Sequence, residues 1–123
     1  MAQVAIVEDD LTIAQMYRLK LEADGHHVQI AANGRLGLAL CQETTPQIVL
    51  LDLMMPEMNG DEMLEKMRHT DWGKDIKVLV LTNVGQQEAP SRLQALGVSQ
   101  YIVKAEMTPA QVAELVRKEL GGG

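Results

Sequence analysis

The sequence predicts an α/β fold: a single flavodoxin-like, doubly wound, five-stranded parallel sheet with five helices and strand order 2-1-3-4-5. Three observations carry this. Short continuous apolar runs alternate with helical patterns five times along the chain. One strand candidate alternates in polarity, as an edge strand does. The polar residues that interrupt the runs all fall at carboxyl ends of strands.

The first strand candidate is Val4 to Val7, an unbroken apolar run suited to a strand covered on both faces. Ile13, Met16, Tyr17 and Leu21 follow at helical spacing, with Gly25 as a stop. His27-Val28-Gln29-Ile30 alternates and belongs at an edge. Leu36, Leu40 and Cys41 share a face of the second helix, which ends before Pro46. Ile48 to Leu51 is the third strand, and Met63, Leu64 and Met67 stripe the third helix, with cap chemistry at Asn59 and Glu62. Val78 to Leu81 is the fourth strand. Ala89, Leu93 and Leu96 stripe the fourth helix, with Pro90 tolerable in its first turn. Tyr101 to Val103 is the fifth strand. Thr108-Pro109-Ala110-Gln111 caps a last helix striped by Val112, Leu115, Val116 and Leu120, with Arg117 and Lys118 in its final turn.

The chain's 123 residues fit one domain, read as residues 1–120 followed by a glycine tail at 121–123. Hydrophobic residues make up 46% and aromatics 2% with no Phe, so the core is aliphatic. A formal charge of -6 disfavours nucleic acid or an anionic membrane as a direct partner. The single Cys41 excludes an internal disulfide and reads as a packing residue. There is no signal-peptide pattern at the start and no apolar stretch of membrane-span length, so a cytoplasmic protein is expected. His26, His27 and His69 lack metal-ligand spacing. Asp10 reads as a helix-start residue, and Trp72 as a loop anchor.

Glu8 and Asp9 follow the first strand, Asp52 the third, Thr82 ends the fourth and Lys104 the fifth. In an open parallel sheet, ligands bind at this edge, where strand order reverses. Converging Glu8, Asp9 and Asp52 repel, and a hard cation relieves the repulsion. Mg²⁺ takes one or two carboxylates, keeps waters and leaves positions for phosphate oxygens. With Lys104 as fixed positive charge and Thr82 as hydroxyl donor, these are the parts needed to stabilise a transferring phosphoryl group on a carboxylate.

At these residues the chain resembles the receiver domain of bacterial two-component response regulators. The resemblance rests on Val4-Ala5-Ile6-Val7-Glu8-Asp9-Asp10, Leu50-Leu51-Asp52-Leu53-Met54-Met55-Pro56-Glu57-Met58-Asn59-Gly60, Val80-Leu81-Thr82 and Tyr101-Ile102-Val103-Lys104, with Ala95-Leu96-Gly97-Val98 before the fifth strand. It implies a phosphorelay switch rather than an enzyme. Asp52 would be the phosphoacceptor, taking its group from the phosphohistidine of a sensor histidine kinase or phosphotransfer protein. Asp9, Asp52 and the Met54 carbonyl would hold Mg²⁺, with Mn²⁺ as a substitute and Glu8 acting through water. Lys104 would contact the phosphoryl oxygens. Thr82 and Tyr101 would move together and alter the surface of the fourth helix, fifth strand and fifth helix for a downstream target. The resemblance allows a monomer or a phosphorylation-dependent homodimer.

Two departures stand out. The family usually has Pro after the lysine, with a cis bond between them; here Ala105 follows Lys104. A cis bond before a non-proline residue costs about 3 kcal/mol, so either the bond is trans or the site bears strain. Asn83 stands where the family mostly has a small residue. Met54 and Val84 occupy positions that tune attack of water on the phosphoaspartate; both are apolar, which predicts slow self-dephosphorylation. Two rival readings are a phosphorylation-independent receiver-like binding module and an aspartate-nucleophile phosphohydrolase. The latter needs a second acid two residues after the nucleophile, where Met54 stands. A nucleotide-binding fold lacks its glycine-rich loop after the first strand.

Overall fold

Five strands are parallel and ordered β2-β1-β3-β4-β5 in this computed structural model, which describes residues 2–55, 57–83 and 92–121, with Arg92 described for its backbone alone. The strands are β1 (Gln3–Val7), β2 (His27–Ala31), β3 (Ile48–Asp52), β4 (Lys77–Thr82) and β5 (Gln100–Val103). The helices are α1 (Leu11–Ala23), α2 (Gly34–Thr44), α3 (Gly60–Arg68), α4 (Arg92–Ala95) and α5 (Pro109–Glu119), with a 3₁₀ turn at Lys104–Glu106. The order 2-1-3-4-5 and the edge position of β2 agree with the sequence reading. Pro56, Val84, Ala89, Pro90, Gly122 and Gly123 lie outside the described residues.

The apolar runs hide a period of two. Val4, Ile6, Ile48, Leu50, Leu79 and Leu81 pack with Tyr17, Leu21, Val112 and Val116 on one face. Ala5, Val7, Val49, Leu51, Val78 and Val80 pack with Cys41, Met63, Met67 and Leu93 on the other. Helices α1 and α5 therefore cover one face, and α2, α3 and α4 the other. β3, buried along its whole length, is the spine between them. Trp72 and Leu96 pack against the second cluster.

The helix starts follow local chemistry. Asp10 caps α1, its carboxylate accepting from the Thr12 and Ile13 amides. Such a cap is worth about 1 kcal/mol. Asn33 caps α2 through the Leu36 amide. Thr108 and Gln111 close a full capping box at α5, with Pro109 at the first helical position. Asn59 occupies the cap position of α3, but its side chain makes no capping bond. Two stripe residues are also corrected. Met16 is 46% exposed, and Ala14 takes its place beside Tyr17 and Leu21. Leu36 is 43% exposed, because α2 turns Gly34, Gly37 and Cys41 inward. Gly37 sits so close to Val7 that an added Cβ would lie 2.7 Å from its methyl carbon. Helix and strand approach through the smallest side chain, which a search for large apolar residues overlooks.

Candidate functional site

Three strand ends place buried polar groups together. Glu8 is fully buried just after β1, Asp52 is 3% exposed at the end of β3, and Thr82 is 1% exposed at the end of β4. Asp9, next to Glu8, is exposed. Glu8, Asp9 and Asp52 each present a carboxylate oxygen, all within 4.8 Å of one another, an arrangement able to hold a metal ion.

Parallel pairing produces this convergence. Val7 pairs with Leu51 across β1 and β3, and Asp52 with Leu81 across β3 and β4, so Glu8, Asp52 and Thr82 emerge nearly level. Each carboxylate is then oriented by its own loop. Glu8 accepts from the Asp10 amide at 3.0 Å, and Asp52 Oδ1 accepts from the Met54 amide at 3.2 Å. That second contact is the local turn that Asp favours, and it sets the course of the chain after β3.

Lys104 enters from β5. Its Nζ donates to Glu8 and lies 3.4 Å from Asp52 Oδ2. No peptide bond among the described residues is cis, so the Lys104–Ala105 bond is trans and the side chain still reaches both acids. The Glu8–Lys104 pair, 96 positions apart in sequence, was not foreseen; in the sequence reading Lys104 contacts phosphoryl oxygens only. Burial disfavours the ammonium, but the bond to Glu8 and the charges of Asp52 and Glu8 outweigh it, and the Lys104 pKa is raised. Asp52 is pushed up to about 7, first by burial, then by a hydrogen bond to Glu8 and by the Glu8 charge. Lys104 and the Met54 amide pull it the other way. Two buried acids share one lysine, and the shortfall of positive charge appears as an affinity for a proton or a cation.

The other residues singled out surround this centre. The Met54 side chain is 70% exposed, so only its main chain faces Asp52. Asn83 is exposed. Tyr101 is partly buried in β5, pairing with Val80, and burial raises its phenol pKa. Sequence reasoning missed two features. Tyr17, placed in the core by its spacing, also lies within the field of the site: its pKa is raised by burial, lowered by Lys104, and raised by Glu8 and Asp52. Asn33 is a buried polar residue bonded to Glu57 on the loop after Asp52. The adjacent Asn33-Gly34 pair was its only local signal.

The comparisons with known proteins point the same way. The family described as response regulator receiver domain matches residues 4–117, and the chain belongs to it. It is therefore a signalling receiver of the two-component type. Among curated relatives, it is 32% identical over 121 residues to the DNA-binding dual master transcriptional regulator RpaA of Synechocystis sp., covering 96% of this chain and 50% of RpaA. The chain spans about half the length of the first curated relatives it matches. The chemotaxis response regulator CheY4 of Vibrio cholerae superposes with a TM-score of 0.88 at 30% identity, covering 96% of this chain and 98% of CheY4. The response regulator TrrA of Thermotoga maritima, solved in complex with Mg²⁺-BeF, superposes with a TM-score of 0.81 at 26% identity, covering 96% and 98%. No helix among the described residues is long and apolar enough to cross a membrane.

Proposed function

We propose that Asp52 is the phosphoacceptor of a phosphorelay switch, and that its donor is a phosphohistidine on a sensor histidine kinase or phosphotransfer protein. The observation that carries this is one cluster: three carboxylates within 4.8 Å, with Lys104 Nζ 3.4 Å from Asp52 Oδ2. An oxygen of the Asp52 carboxylate attacks phosphorus. The phosphorus–nitrogen bond of the donor breaks, its electron pair stays on the imidazole nitrogen, a phosphorus–oxygen bond forms, and the departing imidazole takes up a proton from solvent. Lys104 neutralises charge on the phosphoryl oxygens, and burial of Asp52 strengthens that attraction.

Asp9, Asp52 and the Met54 carbonyl would hold Mg²⁺, or Mn²⁺ in its place, with Glu8 acting through a bound water. The all-oxygen donor set suits a hard cation. TrrA, similar in fold and 26% identical in sequence, was solved in complex with Mg²⁺-BeF. The cation supplies charge neutralisation between carboxylate and phosphoryl group. Lys104 leaves Glu8 to bind the new phosphoryl oxygens, Thr82 donates its hydroxyl to them, and Tyr101 follows Thr82 inward. Their movement changes the surface of α4, β5 and α5 for a downstream partner. The modification acts by shifting a population between two conformations. Lys104 reaching the site through a trans bond supports this reading over a phosphorylation-independent binding module, because a fixed positive charge lies beside the Asp52 carboxylate. Met54, offering no acid at the second residue after Asp52, disfavours a turnover phosphohydrolase.

The test is intact mass after incubation with Mg²⁺ and acetyl phosphate. Wild type gains one phosphoryl group and Asp52→Ala gains none. Unmodified protein with continuous phosphate release indicates an enzyme instead. No modification by acetyl phosphate or by any kinase indicates a binding module.

A further inference from the structure

Beyond the acids and the lysine, we infer that Asn33 and Glu57 form a clasp that positions the loop after β3, and so presents the Met54 main chain to Asp52. The inference rests on the reading of Asp52 as phosphoacceptor and adds a positioning pair to it.

Asn33 uses both ends of its buried amide. Oδ1 accepts from the Leu36 amide at 2.8 Å and starts α2, while Nδ2 donates to Glu57 Oε2 at 2.7 Å. The other Glu57 oxygen lies 3.6 Å from Arg35 Nε. Between them, the Gly34 amide donates to the Met58 carbonyl at 3.1 Å. A Cβ on Gly34 would stand 2.2 Å from that carbonyl oxygen, so the two loops touch backbone to backbone. Three successive residues after β2 therefore grip residues 57 and 58.

Glu57 needs that grip. Its φ is 66°, in the left-handed region that residues with a side chain seldom adopt. The carboxylate is what Asn33 and Arg35 hold, and holding it keeps the backbone in its unfavoured state. At the base of the same loop, the Gly60 amide donates to the Leu53 carbonyl at 3.0 Å, and a Cβ on Gly60 would stand 2.2 Å from the Asp52 carbonyl oxygen. The loop is thus closed at its root by Gly60 and at its tip by the clasp, with Met54 between them. If the tip is released, Glu57 relaxes toward negative φ and the Met54 main chain shifts away from Asp52, to which its amide now donates. Groups that orient metal ligands from behind act through this kind of support.

Asn33→Asp separates the two duties of Asn33. The aspartate still caps α2, but turns an oxygen instead of a donor toward Glu57. In metal-free protein, amide exchange at residues 54, 55, 57 and 58 should quicken while that of α2 stays as in wild type. Mg²⁺ affinity and the rate of phosphorylation by acetyl phosphate should each fall about tenfold. Glu57→Gly in the same background removes the repulsion and adopts positive φ freely, so it should restore both to within about twofold of wild type. Asn33→Ser, a shorter cap that does not reach Glu57, should behave like Asn33→Asp. Wild-type exchange, Mg²⁺ affinity and rate in Asn33→Asp would overturn the clasp, as would failure of Glu57→Gly to rescue. A wild type that takes no phosphoryl group would overturn the phosphoacceptor reading, while exchange and Mg²⁺ affinity would still decide the clasp.

Discussion

The two edges of the sheet treat polar residues in opposite ways. At the amino edge, β1, β2, β4 and β5 begin with Gln3, His27, Lys77 and Gln100, all exposed. Their partners are equally wet: the Gln3 amide donates to Gln47, and Lys77 to the Glu119 carbonyl. At the carboxyl edge, Glu8, Asp52 and Thr82 are buried, and Lys104 is nearly so. The same strands connect a relaxed edge to one that holds two buried acids against a single lysine. The proposed site therefore sits where the fold is least comfortable, and the difference between the edges can be measured.

Lys104→Ala should give the largest effect. It leaves Glu8 buried without its counter-charge, so metal-free protein should lose about 3 kcal/mol in urea unfolding, with phosphorylation by acetyl phosphate strongly slowed. A loss below 1 kcal/mol would show that the carboxyl edge is no more strained than the amino edge.

Asp52→Asn should act in the other direction. The Asp52 carboxyl titrates about 7 in the folded protein against 3.8 in its ordinary state. The folded protein therefore binds the extra proton more tightly, and this stabilisation is complete below pH 3.8 and lost as pH rises through about 7. Metal-free Asp52→Asn should be more stable than wild type at pH 8, and the gap should narrow toward pH 5. Adding Mg²⁺ at pH 8 should raise wild type and leave the variant nearly unchanged. Thermal melts across pH, with and without Mg²⁺, check both signs.

Met54→Asn should matter to kinetics alone. Its exposed side chain offers no group to orient water, so an amide there should speed phosphoryl loss several-fold with little change in melting temperature. A fast wild type that the substitution leaves unaffected would count against slow self-dephosphorylation. Smallest of all should be Lys77→Ala at the amino edge, within about 0.5 kcal/mol of wild type.

The sequence showed the carboxyl edge more fully than the packing behind it. Glu8, Asp52, Thr82 and Lys104 each directly follow or end an apolar run, and Asp9 is next to Glu8, so chain order alone gathered them on one edge. Met16 and Leu36 were misjudged because periodicity rewards large side chains, whereas Ala14, Gly34 and Gly37 let the helices approach. The Glu8–Lys104 pair and the Asn33–Glu57 contact join residues far apart in the chain, and no local pattern encodes such a pairing. The positive φ of Glu57 is equally silent in sequence, since a glycine would have announced it and a glutamate does not.

The bond from Lys104 to Glu8 joins the last strand to the first, and it has a consequence for assembly. A chain emerging from the ribosome exposes Glu8 and Asp52 long before residue 104 is made. Until β5 docks, the two acids have no resident cation, and closing β1 against β3 brings like charges together. The acidic site is therefore completed only when the fold is, because its lysine comes from the last strand to join the sheet.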